Sequence, residues 1–308
     1  MVQGPDTYYG LDAWRWWLSE APSDMRKARR SADEVADTDA CDVRSFRALI
    51  KLVAFLNVMN KSDILLFRGQ GCDLPLLPSL MREKWTVPGT SISVPLDGER
   101  VLYFEELSQV CRRVAPLLVG LLPRHKPFET FVSHPERRMA PWSVIQHYEL
   151  WPTPVLDFTG SLRIAASFAL GAAKPRSSGY VYISAFRRVH SDPMVLHTAG
   201  SGPVAVRLSA VCPPLAERPH LQDGFLVGNP RFSEADLETP QAPGTLLAKV
   251  HLVDESATAH SGESFWDDRD FPRHSEESLL PTGDLFLKMF NRAFEHQVVG
   301  DRAVIADR

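Results

Sequence analysis

Cysteine is scarce in this 308-residue chain: Cys41, Cys72, Cys111 and Cys212 lie far apart and form no Cys-x-x-Cys pair. That spacing signals neither a zinc cluster nor a disulfide framework. Long hydrophobic runs are missing as well. No stretch approaches the roughly 20 apolar residues needed to span a bilayer, and no basic segment followed by an apolar run opens the chain. A soluble cytoplasmic protein without a membrane partner is therefore expected. Charge of one sign is not in excess: the formal net charge is −4, which provides no long-range attraction to phosphate backbones, so nucleic acid is not implied as a partner. The common catalytic signatures are also missing, with no Walker A loop, no Gly-x-Gly-x-x-Gly opening a helix, no His-Glu-x-x-His and no Gly-x-Ser-x-Gly elbow. Gly69 and Gly71 make only a Gly-x-Gly and lack the helix start of a phosphate cradle. His190 and His197 have no carboxylate or cysteine at ligand spacing, so no metal site is expected. There are no internal repeats or low-complexity tracts.

What is present is a chain with 44% apolar and 23% charged residues, enough to bury a substantial core. Residues 8–18 carry Trp14, Trp16 and Trp17 and predict a short helix docked by its aromatic side chains. The charged stretch 23–42 reads as a linker or an exposed helix. Leu49, Leu52, Val53 and Leu56 recur at helical spacing and predict a core-facing helix over 45–59. The apolar run from Ile64 to Phe67 then predicts a buried strand with Arg68 at its exit. Further helices are predicted over 98–122, where Pro116 is placed to kink or divide the helix, and over 140–150, stopped by Trp151-Pro152. Another is predicted over 162–173, capped by Ser161, and a last one over 284–294. Residues 180–186, 204–211, 224–227 and 245–253 are β-rich stretches between turns. Helices first and strands later argue for an α+β class, with N-terminal helices packed on a mostly antiparallel sheet supplied largely by the C-terminal half.

Three separated motifs carry further information. Phe67-Arg68-Gly69-Gln70 is followed by Leu77-Pro78-Ser79-Leu80 and Arg82. A central stretch reads Gln146-His147-Tyr148, then Pro152-Thr153, then Leu156-Asp157-Phe158-Thr159 and Ser161. Arg218 with Gln222-Asp223-Gly224-Phe225 forms the third. Together these resemble the FRG domain family. One departure stands out: where the family has Gly-Leu-Pro-Thr-Arg, this chain reads Glu149-Leu150-Trp151-Pro152-Thr153-Pro154, with one extra residue and no arginine. The expected organisation is an N-terminal helical extension over 1–44, the FRG domain over 45–295 and a tail over 296–308.

The resemblance implies an ADP-ribosyltransferase-like enzyme with NAD as substrate and a macromolecule or water as ADP-ribose acceptor, as would suit a bacterial defence or toxin system. Arg68 would grip the diphosphate through bidentate bonds, a task to which guanidinium is better suited than ammonium. Thr159 or Ser161 would supply a hydroxyl near the nicotinamide ribose, and Gln222 would occupy the place of the acid that stabilises the ribosyl oxocarbenium ion. A neutral amide cannot do that as a carboxylate can, so either an acid such as Glu149 or Asp157 would stand in or the reaction would be slow or absent. His147 would act as general base. Gly69, Gln70, Gln146, Tyr148 and Asp157 complete the expected ligand-binding set. Structural roles compete with each of these. Arg68 could pair with Asp157, His147 could be a hydrogen-bonded core histidine, Asp157 and Ser161 are good helix caps, and Gln222 precedes a glycine as turn residues do. The alternative is a noncatalytic nucleotide-binding sensor using the same residues. A nuclease lacks the clustered carboxylates its metal ions would need.

Overall fold

The structure is a computed structural model that describes residues 7–20, 24–86, 93–121, 139–172, 174–188, 195–197, 202–238, 244–257, 263–266 and 269–294. They fall into two compact units, one built from Met1–Pro75, Phe158–Val204 and Ala242–Leu279, the other from Leu76–Asp157, Ala205–Gln241 and Leu280–Arg308.

The first unit begins with β1 (Thr7–Tyr8), α1 (Leu11–Glu20), β2 (Arg30–Ser31), α2 (Ala32–Ala36), β3 (Cys41–Val43), α3 (Phe46–Met59) and β4 (Asp63–Gln70). The second unit holds the short strands β5 (Lys84–Thr86) and β6 (Ser93–Pro95), then α4 (Arg100–Leu121) and α5 (Met139–His147). Strand β7 (Leu156–Thr159) carries the chain from the second unit back to the first, where α6 (Leu162–Ala169), β8 (Ser178–Arg188) and β9 (Val195–His197) follow. Strand β10 (Val204–Arg207), α7 (Glu217–Leu221) and β11 (Gly224–Gly228) come next, then β12 (Thr245–Val253), α8 (Glu276–Leu279) and α9 (Leu285–Phe294).

In the first unit the strand order is β3-β12-β8-β4-β7. All pairs are antiparallel except β3 with β12. Strand β4 pairs along its whole length with β8, from Asp63 opposite Arg187 to Gln70 opposite Tyr180. Helix α3 forms where the leucine periodicity puts it, with the Ser45 side chain accepting from Ala48 N at 3.2 Å as its N-cap. Its Leu49, Leu52, Val53 and Leu56 join Leu65, Phe67, Ile183, Val250 and the alanines of α6 in one core. Side chains alternate along strands, so Arg68 and Gln70 point away from that core. Across the sheet they lie in two rows: Arg68 opposite Tyr182 and Lys249 in line, and Gln70 opposite Tyr180, His251 and Asp42 in line. Trp14 docks α1 by packing on Phe55, with ring centroids 5.4 Å apart.

In the second unit Trp151 donates its indole N–H to the Tyr103 carbonyl at 3.0 Å and packs against Trp85 and Tyr103, tying the loop after α5 to α4 and the β5–β6 hairpin.

The α+β class and the predominantly antiparallel sheet follow the expectation. The stretch 23–42 does not behave as a linker or a single exposed helix. It holds a 3-10 turn, β2, α2 with a Ser31/Glu34 capping box, and β3 in the sheet. Strands of two or three residues are too short to show period-two alternation, which is why the pattern hid them. Helix α4 continues as one helix across Pro116. Helix α5 stops at His147, ahead of Trp151-Pro152, because Glu149 turns left-handed at φ 54°. Residues 296–308, expected as a tail, lie outside the described residues.

Candidate functional site

The expected site residues divide into two groups, each gathered within its own unit.

In the first unit, Arg68 is half-buried on β4, and its Nε donates to Gln70 Oε1 at 3.2 Å. Gln70 in turn donates from Nε2 to the Leu74 carbonyl at 2.9 Å. The guanidinium is thus steered by a neighbour two residues on, on the same face of the strand. Gly69 faces the opposite way, toward α6, where a Cβ would lie 1.9 Å from the Ala165 carbonyl oxygen. Its missing side chain permits helix and strand to touch. Thr159, opposite Phe67, accepts on Oγ1 from Ser161 N at 3.0 Å. Ser161 is the N-cap of α6, accepting from Ile164 N at 3.4 Å, so its capping role is real. Tyr182 donates to Asp73 and to the Leu74 carbonyl, and Lys249 lies 2.9 Å from Asp73. Hydrogen bonding from Lys249 is the leading cause that holds the Asp73 carboxyl below its ordinary pKa.

In the second unit the central motif closes on itself. Gln146, on the last turn of α5, donates from Nε2 to Asp157 Oδ2 at 3.0 Å. Its Oε1 accepts from the hydroxyls of Thr153 and Ser79. Ser79 Oγ also accepts from Thr153 N at 2.9 Å, and Leu80 N donates to the Thr153 carbonyl at 3.1 Å. Ser79 and Thr153 were quoted in the motifs but not foreseen as its fasteners. Asp157 is a β7 residue and does not cap a helix. Its Oδ1 stands 2.7 Å from Nδ1 of His147, off the line of a good hydrogen bond.

The His147 side chain is only 2% exposed. A lone pair on Nδ1 facing a carboxylate at that distance would be repelled, which puts the ring proton on Nδ1 and leaves Nε2 as an acceptor. Nε2 has no hydrogen-bond partner among the described residues. It points at Gly224, where a Cβ would be 2.9 Å away.

Around this imidazole stand further charges, of which Arg82 and Arg218 belong to the quoted motifs and Asp284 does not. Arg218 donates to the His147 carbonyl at 3.4 Å and lies over the Tyr148 ring, 5.0 Å from its centroid. Tyr148 donates to the fully buried Asp284 at 2.6 Å. Burial, and then that bond, push the phenol above its ordinary range, while Arg218 opposes the shift. Arg82 is exposed by surface area, yet its surroundings are dense enough that burial lowers the guanidinium pKa, with Asp157 and Glu149 acting against this. It remains a cation at neutral pH. Asp284 lies 136 residues from Tyr148, a separation that left no local signal. Gln222 is half-buried and forms the C-cap of α7, its N–H bonded to the Arg218 carbonyl at 3.0 Å. Among the described residues no group of histidine, cysteine, aspartate and glutamate could hold a metal ion, and no helix is long and apolar enough to cross a membrane.

Residues 63–178, less than half of the chain, match the model of the FRG domain. All of the first two motifs fall inside this span, while Arg218 and Gln222 lie beyond it. No curated protein and no solved structure matches the chain.

Proposed function

We propose that the FRG domain protein binds NAD and breaks its nicotinamide–ribose bond, passing ADP-ribose to water or to a macromolecular acceptor. The observation that carries this reading is the imidazole of His147, with Nδ1 2.7 Å from a carboxylate oxygen and Nε2 without a hydrogen-bond partner among the described residues, which is the disposition of a general base. The bond between nicotinamide N1 and ribose C1′ breaks with its electron pair leaving on nicotinamide. A water or acceptor oxygen bonds to C1′, and its proton goes to Nε2 of His147. Arg68 keeps the diphosphate-binding role that the family resemblance implies, and its steering by Gln70 supports that role.

A second reading, a noncatalytic nucleotide-binding module, is favoured by Gln222, a neutral amide where a carboxylate would stabilise the oxocarbenium ion. The two are separated by incubating the protein with NAD and cell lysate and following nicotinamide by mass spectrometry, with calorimetry on NAD and ADP-ribose alongside. Release by the wild type, reduced about a hundredfold in a folded Arg68→Ala protein, is the expected result. Binding without release selects the second reading. Equal release by Arg68→Ala removes that residue from the mechanism.

A further inference from the structure

Gln70 steers Arg68, and what steers Gln70 is the Leu74 carbonyl. Gln70 Nε2 donates to that carbonyl at 2.9 Å, which leaves Oε1 to accept from Arg68 Nε at 3.2 Å. Turned over, the amide would set N–H against the guanidinium N–H and oxygen against the carbonyl, so the carbonyl decides which way it faces. Leu74 belongs to a segment of irregular backbone, residues 71–75, in which Cys72, Asp73, Leu74 and Pro75 are all exposed. A reference point on an exposed loop is only as firm as whatever ties the loop down.

The ties come from the sheet. Arg68 on β4, Tyr182 on β8 and Lys249 on β12 stand in one row, each opposite the next. The Tyr182 hydroxyl lies 2.9 Å from the Leu74 carbonyl oxygen and 3.1 Å from Asp73 Oδ1, and shares its one proton between them. Lys249 Nζ donates to the second carboxylate oxygen, Asp73 Oδ2, at 2.9 Å. Tyr182 is buried, with a paired strand on either side, so its hydroxyl is a fixed post for the loop. Burial, and then the bond to Asp73, push the phenol up to about 12, and it stays a donor at neutral pH. The whole route from Lys249 to the guanidinium lies within the first unit.

We infer that Tyr182, Asp73 and Lys249 are positioning residues for Arg68: they hold the Leu74 carbonyl where it orients Gln70, and Gln70 then fixes the guanidinium for the diphosphate of the ligand. This rests on the NAD-binding reading and adds to it residues of β8, β12 and the 71–75 loop. A guanidinium already held in one orientation loses less rotamer freedom when it takes up two phosphate oxygens. The Asp73–Lys249 ion pair is partly exposed and therefore screened, so it contributes less than the buried hydroxyl.

The test uses the full chain with ADP-ribose, which carries the diphosphate and has no nicotinamide to lose. Calorimetry measures its affinity for the wild type, Tyr182→Phe and Asp73→Asn. In parallel, proton–nitrogen NMR follows solvent exchange of the Arg68 Nε–H, with Arg68→Lys to assign the signal. Affinity should fall about fivefold in Tyr182→Phe and about twofold in Asp73→Asn, at melting temperatures near that of the wild type, and the Nε–H should exchange faster in both. If Tyr182→Phe does not fold, Asp73→Asn, on the exposed loop, decides alone. An Nε–H that exchanges as in the wild type overturns the positioning role, whatever the affinities do. Faster exchange at unchanged affinity overturns its service to the ligand and leaves NAD binding standing. A wild type that does not bind ADP-ribose overturns the NAD reading and this inference together.

Discussion

Asp157 holds two neighbours of α5 at once, taking the Gln146 amide on Oδ2 at 3.0 Å and facing Nδ1 of His147 with Oδ1 at 2.7 Å. One carboxylate thereby sets the rotamer of a buried imidazole and of the glutamine that fastens the Ser79 and Thr153 loops. This is the arrangement in which a base is oriented by a third group rather than by chance packing.

Replacing Asp157 by asparagine keeps the size and one acceptor but lets an amide N–H face Nδ1, which favours the other ring tautomer. Nicotinamide release is expected to fall about a hundredfold while NAD affinity changes little, because the base and not the binding surface is altered. Steady-state kinetics with a parallel calorimetric Kd checks this. Unchanged kcat, or a fall in affinity large enough to account for the whole loss, would contradict the orienting role.

Gly69→Ala places a methyl group 1.9 Å from the Ala165 carbonyl oxygen and 2.8 Å from the Ala169 nitrogen, both backbone atoms of α6. Backbone cannot swing aside as a side chain can, so helix and strand must part. A loss of about 3 kcal/mol in urea unfolding is expected. A variant within about 0.5 kcal/mol of wild type would mean that the α6–β4 contact is looser than the atomic positions indicate.

His274 links stability to pH. Burial first, and then the Arg163 charge, lower its pKa in the folded state. Arg163 Nε donates to Nε2 at 2.9 Å, which requires that nitrogen to be unprotonated. The unfolded chain, near the ordinary value of about 6.5, therefore binds more protons than the fold as the solution becomes acidic. Stability from this residue is complete above that value and is lost as pH falls through the lower folded pKa. Urea midpoints of wild type and His274→Asn measured from pH 7.5 down to about pH 5 should converge at the acid end. Parallel curves would remove His274 from the acid sensitivity.

How much of this was readable from residues alone depends on the distance over which a signal acts. The leucines of α3, the apolar run of β4 and the β-rich composition of β12 are local, and each element formed where the pattern put it. The Gln146, His147 and Asp157 group was legible because its members lie within a dozen residues and share one motif. Strand β3 was hidden because three residues cannot show a period, and it finds its place only by lying parallel to β12. The Tyr148–Asp284 bond joins positions with nothing between them to mark the pairing. The left-handed backbone at Glu149 and Asp223 was not legible for a different reason: carboxylates at helix ends look like ordinary surface charge until the backbone angle is seen.

The extent of the family match and the extent of the folded object are not the same thing. The matched span ends at residue 178, where β8 begins, and all eight residues of β4 take their partners from β8. A fragment cut at that boundary would present the Arg68 strand as a bare edge, with its ladder of N–H and C=O groups open to other chains. Self-association would then compete with any nucleotide for the same residues. The matched segment is therefore shorter than the sheet that completes its Arg68 strand.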